Sequence, residues 1–309
     1  MIREFEPADA EAVSAALHED DLPNPLTAAG VLHWLVAQPE RAHARMWVAE
    51  EDGSVIGWAE ARIRWTTSVT DVGDFWVYVV PPARRRGVGA ALYSEAKRYL
   101  FELRARVLES WTYSVAGERL LEPRGFRATG HERISELKLA TADTDMLPVL
   151  EERLGRNGFQ LVQLGDVFDR VEAIHRVYAD TSADVPEYFK EDDVRLEEWR
   201  RETLEHPQLT GEGSFVALAD GSPAALAFVE LDEPARLAAN EMTGTLRGFR
   251  RRGLARLVKL AAIRWAKEHG FEAMLTGNAE SNTAMLDLNE TLGYRPLARE
   301  THFVREDLS

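Results

Sequence analysis

The sequence predicts an α/β (α+β) fold made of two tandem domains, each a mixed central sheet flanked by helices. Three observations carry this. A basic string, Arg84-Arg85-Arg86-Gly87-Val88-Gly89, returns 166 residues later as Arg250-Arg251-Arg252-Gly253-Leu254-Ala255. Trp47-Val48-Ala49 with Asp52-Gly53-Ser54 returns 168 residues later as Phe215-Val216-Ala217 with Asp220-Gly221-Ser222. Arg124-Gly125-Phe126 returns as Leu292-Gly293-Tyr294 at the same 168-residue offset. Landmarks in one order at a nearly constant offset mean an internal duplication. Its period has the size of a domain, not of a solenoid repeat.

The elements follow in order. Ile2 to Phe5 reads as a strand, Asp9 to Leu17 as a helix and Leu26 to Gln38 as a second helical stretch. Met46 to Ala49 and Val55 to Ile63 form a hairpin around Glu51-Asp52-Gly53-Ser54. Trp76 to Val80 is a strand before the first basic turn, and Val88, Ala91, Leu92, Ala96, Tyr99 and Leu100 line one helical face after it. Val107 to Tyr113, a helical element and a strand near Ser135-Glu136-Leu137-Lys138 complete the unit. The small, polar stretch Ala140 to Asp145 sets the boundary, giving domains at residues 1-140 and 141-309.

The second unit repeats the series. Phe159 to Leu164 is a strand, Phe168 to Tyr178 a helix, and the charged Tyr188 to Glu205 a solvated helix. Phe215 to Ala219 and Pro223 to Leu231 pair as a hairpin, and Met242 to Leu246 is the strand before the second basic turn. Leu254, Leu257, Val258, Ala261, Ala262 and Trp265 then share a helical face. Ala273 to Thr276, Asn282 to Leu292 and Thr301 to Val304 are strand, helix and last strand. Glu19 to Ala29 and Asp180 to Glu187 are the most loop-like segments.

Composition excludes several classes. A net charge of −15 over 309 residues argues against general binding of nucleic acid or an anionic membrane. A DNA-binding basic turn would need a basic face around it, so the two Arg triplets stand as local positive spots. There is no cysteine, hence no disulfide, thiolate nucleophile or Cys-ligated zinc. The histidines show no ligand spacing, so no metal is expected. No apolar run spans a membrane and the N-terminus does not read as a signal peptide, so a cytoplasmic location is expected. Gly87-Val88-Gly89 lacks the third glycine of a dinucleotide fingerprint, Leu92 standing there. The tryptophans Trp47, Trp58, Trp65 and Trp76 near strands read as core.

A strand, a basic glycine-bearing turn and a helix make an anion site. Free backbone N–H groups and the helix dipole face negative charge, and glycine lets the backbone approach closely. The pattern Arg84-x-x-Gly87-x-Gly89, after Val79-Val80-Pro81, and its copy Arg250-x-x-Gly253-x-Ala255 resemble the acyl-CoA-binding motif of the GNAT acetyltransferase superfamily. The superfamily's downstream element, Asn-x(6)-Tyr-x-x-x-Gly-Phe, is echoed by Asn282, Asn289 and Gly293-Tyr294 in the second half. The first half has Ser114, Leu121 and Gly125-Phe126. The resemblance covers nearly the whole chain, twice.

The resemblance implies acetyl-CoA as acyl donor, held by Arg84, Arg85, Arg86, Gly87, Val88, Gly89 and Ala90 in one half. The matching set in the other is Arg250, Arg251, Arg252, Gly253, Leu254, Ala255 and Arg256. Backbone at Val79 or Val80, and at Leu246, would polarise the thioester carbonyl. Asn278 and Asn282 would contact the pantetheine, and Asn282 equally suits a helix N-cap. Acyl transfer to an amine needs a base. Glu241, at the start of the strand before the second turn, is the candidate, against a plain solvated strand-end carboxylate; Asp74 is the weaker analogue in the first half. The usual acidic Tyr is replaced by Asn289, which does not titrate, and Tyr294 reads as a buried aromatic. Water or the departing ammonium would then protonate the thiolate. The expected function is an N-acetyltransferase for a small-molecule amine, with catalysis in the half that keeps Asn282 and Glu241. A mycothiol-synthase-like enzyme and an antibiotic or polyamine acetyltransferase are equally open. A non-catalytic acyl-CoA sensor or partner-binding scaffold is the alternative. The sequence leaves oligomeric state open.

Overall fold

In a computed structural model, residues 1–20 and 26–306 are described, without the side chain of Glu19. Residues 21–25 of the predicted loop over Glu19–Ala29 lie outside them. The chain divides into two compact units, Met1–Glu132 with Arg299–Ser309, and Arg133–Ala298.

Unit 1 begins with β1 (Ile2–Glu4), α1 (Ala10–Glu19), α2 (Ala28–Ala37), β2 (Arg45–Glu51), β3 (Ser54–Ile63) and β4 (Val72–Val79). It continues through α3 (Val88–Glu102), β5 (Val107–Thr112), α4 (Val115–Leu121) and the start of β6 (Arg127–Lys138). Unit 2 has α5 (Met146–Gly155), then β7 (Phe159–Gln163), α6 (Val171–Ser182), α7 (Leu196–Trp199), β8 (Phe215–Ala219), β9 (Ser222–Asp232) and β10 (Leu237–Thr245). It closes with α8 (Leu254–Glu268), β11 (Ala273–Ala279), α9 (Thr283–Thr291) and the start of β12 (Arg295–Arg305). Apart from α5, the second series copies the first element for element, as the duplicated landmarks require.

Strand order differs from sequence order at one place in each unit. Unit 1 runs β1-β2-β3-β4-β5-β12, and unit 2 runs β6-β11-β10-β9-β8-β7. The last strand of the chain therefore completes the first unit, Thr301 to Arg305 pairing antiparallel with Thr112 to Leu108. The division at 140 had kept the last strand with the second half. Local pattern identifies that strand but not the edge it pairs with.

Each sheet is covered on both faces. In unit 1, Leu92, Ala96 and Leu100 of α3 pack on Ala59, Ala61 and Phe75. On the other face, Val13, Leu17 and Val31 of α1 and α2 pack on Val48, Trp58 and Tyr78. In unit 2, α8 sets Leu257, Val258 and Ala261 against Ala217, Ala225 and Ala227. Ile174, Val177 and Trp199 cover Val216, Leu226 and Phe228 behind. The predicted solvated helix over Tyr188 to Glu205 is shorter than expected: α7 and the π-turn Arg200–Leu204 are its only helical part. Trp199 ends α7 fully buried against His175, Tyr178 and Phe228, so that segment is part of the core cover.

The exchanged strand is tied to β5 by a buried polar contact. Glu109 of β5 is fully buried and accepts from Arg64 Nη1 at 3.0 Å and His302 Nε2 at 2.9 Å. His302 stacks on Trp111, and its Nδ1 lies 2.8 Å from Thr129 Oγ1. Burial acts to raise the Glu109 pKa, but the His302 hydrogen bond and the Arg64 charge outweigh it and hold the carboxyl below its ordinary value. A lowered folded-state pKa contributes stability that is in place above about pH 4.3 and is lost as pH falls through the folded value. Arg64→Met strands this carboxylate, and urea denaturation at pH 7 should give a loss of about 3–5 kcal/mol. A loss below about 1 kcal/mol would show that the buried Arg64–Glu109 pair does not stabilise the unit.

Candidate active site

The two basic turns have one backbone. A 3₁₀ turn, Pro81–Ala83 or Arg247–Phe249, leads into an extended Arg84 or Arg250. Arg85 and Arg251 then take φ of 63° and 61°, and Gly87 and Gly253 take 89° and 96° as the first residues before α3 and α8. That left-handed conformation is why glycine stands there. No side chain caps either helix. The first N–H groups of α3 and α8 thus remain directed outward with the positive end of the dipole. This cradle fits a pyrophosphate, the group acyl-CoA presents.

The arginines divide by role. Arg84 Nε donates to the Val79 carbonyl at 2.8 Å and its Nη2 pairs with Asp20. Arg250 Nε donates to the Thr245 carbonyl at 3.0 Å and its Nη2 to Asp184 at 2.7 Å. Asp184 also accepts from Arg247, and the Arg247 and Arg250 hydrogen bonds hold its carboxyl well below the usual carboxylate range. Arg84 and Arg250 therefore brace the turn against the loop after α1 or α6. Arg86 pairs with Glu51 at 2.5 Å, and Arg252 caps the Gly248 carbonyl at 3.3 Å. Arg85, Arg251 and Arg256 are exposed and have no side-chain partner among the described residues.

Strand splay builds the groove below each turn. β4 pairs with β5 only over Val72 to Asp74, and β10 with β11 only over Leu237 to Ala239. Both strands run on, so a wedge opens between them towards the turn. In unit 1 it forms a cavity of about 400 Å³ walled by Val77, Tyr78, Val79 and Gly89, with Thr112 and Ser114 opposite and Arg85 and Ala90 at its mouth. The backbone donors in the wedge differ from part of the sequence expectation. The N–H groups of Val80 and Leu246 are donated to Ile56 and Ala224 of the hairpin strands. By the alternation of an antiparallel ladder, those of Val79 and Thr245 face the wedge. Leu246 and Val80 thus give way to Thr245 and Val79. Periodicity sets the strand but not which edge each amide faces.

The carboxylates also sort themselves. Asp74 is buried and takes both oxygens to Arg62 Nε, at 2.9 and 3.2 Å, so it serves an ion pair. Glu241 is the extra residue of a β-bulge between Asn240, opposite Val229, and Met242, opposite Phe228. Asn240 secures the bulge, its Nδ2 donating to the carbonyls of Phe228 at 2.9 Å and Met242 at 3.2 Å. Its Oδ1 accepts from Thr243 and from the buried Lys259, whose pKa burial pulls down to about 7. The exposed Glu241 side chain has no hydrogen-bond or ion-pair partner among the described residues. Crowding by protein and the charge of Glu202 raise its pKa; Glu230, also raised, titrates with it. His206 lies 3.2 Å from Glu230. No local pattern points to Glu202, Glu230 and Lys259, which lie outside the motif and meet Glu241 or its bulge only through packing.

The downstream residues are structural in part. Asn282 is the N-cap of α9, accepting from the Met285 N–H at 3.4 Å, and Ser114 caps α4 likewise at 3.1 Å. Asn278 accepts from the buried Asn289 at 2.6 Å. Tyr294 is buried beside Lys259, and burial raises its phenol pKa.

Comparison with known proteins agrees with this geometry. Residues 12–126 and 172–294 match the acetyltransferase (GNAT) family. No curated protein matches the sequence. Among solved structures, a tandem GNAT protein from the clavulanic acid biosynthesis pathway is 20% identical with a TM-score of 0.75, covering 99% of this chain and 98% of its own. A GCN5-related N-acetyltransferase from Sphaerobacter thermophilus is 17% identical at a TM-score of 0.70, covering 99% and 95%. A glucosamine N-acetyltransferase region of a fungal multi-domain GH3 β-N-acetylglucosaminidase is 15% identical at 0.68, covering 99% of this chain and 38% of that one.

An aspartate at Gly87 or Gly253 would strain the left-handed turn and set a negative charge in the cradle. Calorimetry with acetyl-CoA should show each single substitution, Gly87→Asp or Gly253→Asp, removing one binding event, and the double variant binding none. Full binding by the double variant would exclude both turns.

Proposed function

The chain belongs to the acetyltransferase (GNAT) family, whose members carry out acyl transfer, and on that premise we propose an acetyl-CoA-dependent N-acetyltransferase for a small amine, with unit 2 as a catalyst. The observation that carries this reading is the bulge that turns Glu241 out of the ladder beside the wedge, with Glu202 and Glu230 around it. Three carboxylates favour an acceptor with more than one positive charge, such as a linear polyamine. Acetyl-CoA supplies the activated acyl group. The turn residues Gly253, Leu254 and Ala255 bind its pyrophosphate through backbone N–H groups, with Arg251 alongside. The wedge-facing N–H groups of Thr243 and Thr245 orient the arm and acyl carbonyl. Glu241 takes a proton from the bound ammonium so that the nitrogen has a free pair. Asn289 offers no acidic proton, so the proton left on nitrogen serves the departing sulfur.

The family's donor ties the reaction to acyl-CoA, in keeping with the cytoplasmic expectation. No described helix is long and apolar enough to cross a membrane.

The test is steady-state turnover of acetyl-CoA with spermidine. Glu241→Gln should lower kcat on the order of 10²-fold while the affinity for acetyl-CoA is kept. Because the Glu241 pKa is raised, its base form gains population as pH rises above the ordinary carboxylate range. Wild-type kcat/KM should therefore climb with pH above the ordinary carboxylate range, and the Gln variant should lose that limb. Acetyl-CoA binding without turnover on any amine would favour the sensor alternative.

A further inference from the structure

Unit 1 holds a carboxylate that the reading above does not use. Glu60 lies on β3, opposite Trp76 of β4 and Met46 of β2. The neighbours Ala59 and Ala61 pack into the α3 side, so Glu60 shares the other face with Trp58, Trp76 and Tyr78. It is half-buried and has no hydrogen-bond or ion-pair partner among the described residues. The two charges nearest along this face, Arg62 and Asp74, are spent on each other. Burial among apolar groups lifts the Glu60 pKa to about 8, against the opposing pull of Arg62.

Its place relative to the wedge is set by register. The last β4–β5 pair is Asp74 with Glu109, and the cavity wall begins at Val77. That is about 10 Å of strand, with Trp76 inside it. Glu60 stands directly across from Trp76, with Cβ atoms about 5 Å apart. An acyl thioester lying along β4 from the Gly87 turn would bring its reacting end to this stretch. Trp34, Trp76 and Trp111 are each half-buried, and Arg62 stacks over Trp34 at 5.5 Å, so the surroundings are aromatic. In unit 2, Phe228 stands opposite Met242 where Glu60 stands opposite Trp76. β4 has no bulge, its register with β3 running unbroken from Gly73 to Val79. The two units therefore present their carboxylates from different strands.

We propose that unit 1 is a second acyl-transfer site, in which Glu60 is the base and the acceptor is a primary amine on an apolar, ring-bearing body. The proposal shares only the acetyl-CoA donor with the function proposed for unit 2. The Glu60 carboxylate takes one proton from the ammonium. The nitrogen pair then forms the C–N bond to the acyl carbon as the C–S bond breaks. Sulfur leaves with the bonding pair and takes the second proton from nitrogen, and Glu60 returns its proton to water. The half-exposed tryptophans hold the ring and attract the cation before it is deprotonated.

The experiment follows thiol release and acetylated product with acetyl-CoA and 2-phenylethylamine, using the full chain. Glu60→Gln should lower kcat on the order of 10²-fold with the KM for acetyl-CoA within about threefold of wild type. Glu60→Asp, which keeps a carboxylate, should fall between the two. Gly87→Asp should abolish the reaction. Absence of acetylated phenylethylamine from the wild type, wild-type turnover by Glu60→Gln, or product that survives Gly87→Asp would each overturn the proposal. Spermidine turnover with Glu241→Gln reads unit 2 separately. A chain that binds no acetyl-CoA by calorimetry would fail both readings at their shared premise.

Discussion

In each unit the strand before the basic turn is paired along its length on one edge and for only three residues on the other. β4 follows β3 from Gly73 to Val79 but leaves β5 after Asp74, and β10 leaves β11 after Ala239. Buried backbone groups seek partners, so a strand edge released inside a sheet is a place where a ligand backbone can complete the ladder. The turn that follows compounds this. Its left-handed glycine starts a helix that no side chain caps, and the helix points its free N–H groups down the same wedge. The wedge and the free N–H groups at its head are consequences of that divergence.

The turn is held from outside the motif. Arg84 and Arg250 fold back onto the carbonyls of Val79 and Thr245 and reach aspartates beyond α1 and α6. The same brace appears twice with the aspartates, Asp20 and Asp184, in equivalent places. Retention in both copies follows from geometry: without the arginine, the strand-end carbonyl would lose its side-chain donor and the turn its tie to the loop aspartate. The contact ties the turn to the chain just beyond α1 or α6.

The copies have diverged where chemistry is set and agree where the backbone is set. The turn residues take the same backbone regions in both copies, whereas the carboxylates do not correspond. Unit 2 uses a bulge pinned by Asn240 and Lys259 to turn Glu241 outward. Unit 1 has Asp74 locked by Arg62 and instead leaves Glu60 unpaired among tryptophans. On the proposed readings, an acidic pocket in one unit and an aromatic one in the other would select amines of different charge and bulk, because desolvating a second ammonium needs a carboxylate to meet it.

The sequence by itself determined the duplication, the element order and the two turns. These depend on local rules: a left-handed position needs glycine, an amphipathic face repeats along a helix, and alternation marks a hairpin. It also singled out Glu241, because strand position relative to the turn is a local property. What only the tertiary structure decided rests on pairing between distant segments. The exchange of β6 and β12, the wedge-facing amides of Thr245 and Val79, the capture of Asp74 by Arg62 and the placing of Glu60 among tryptophans all depend on which strand lies beside which edge. A shift of one residue in register sends a side chain or an amide to the opposite side, and no local pattern fixes that choice.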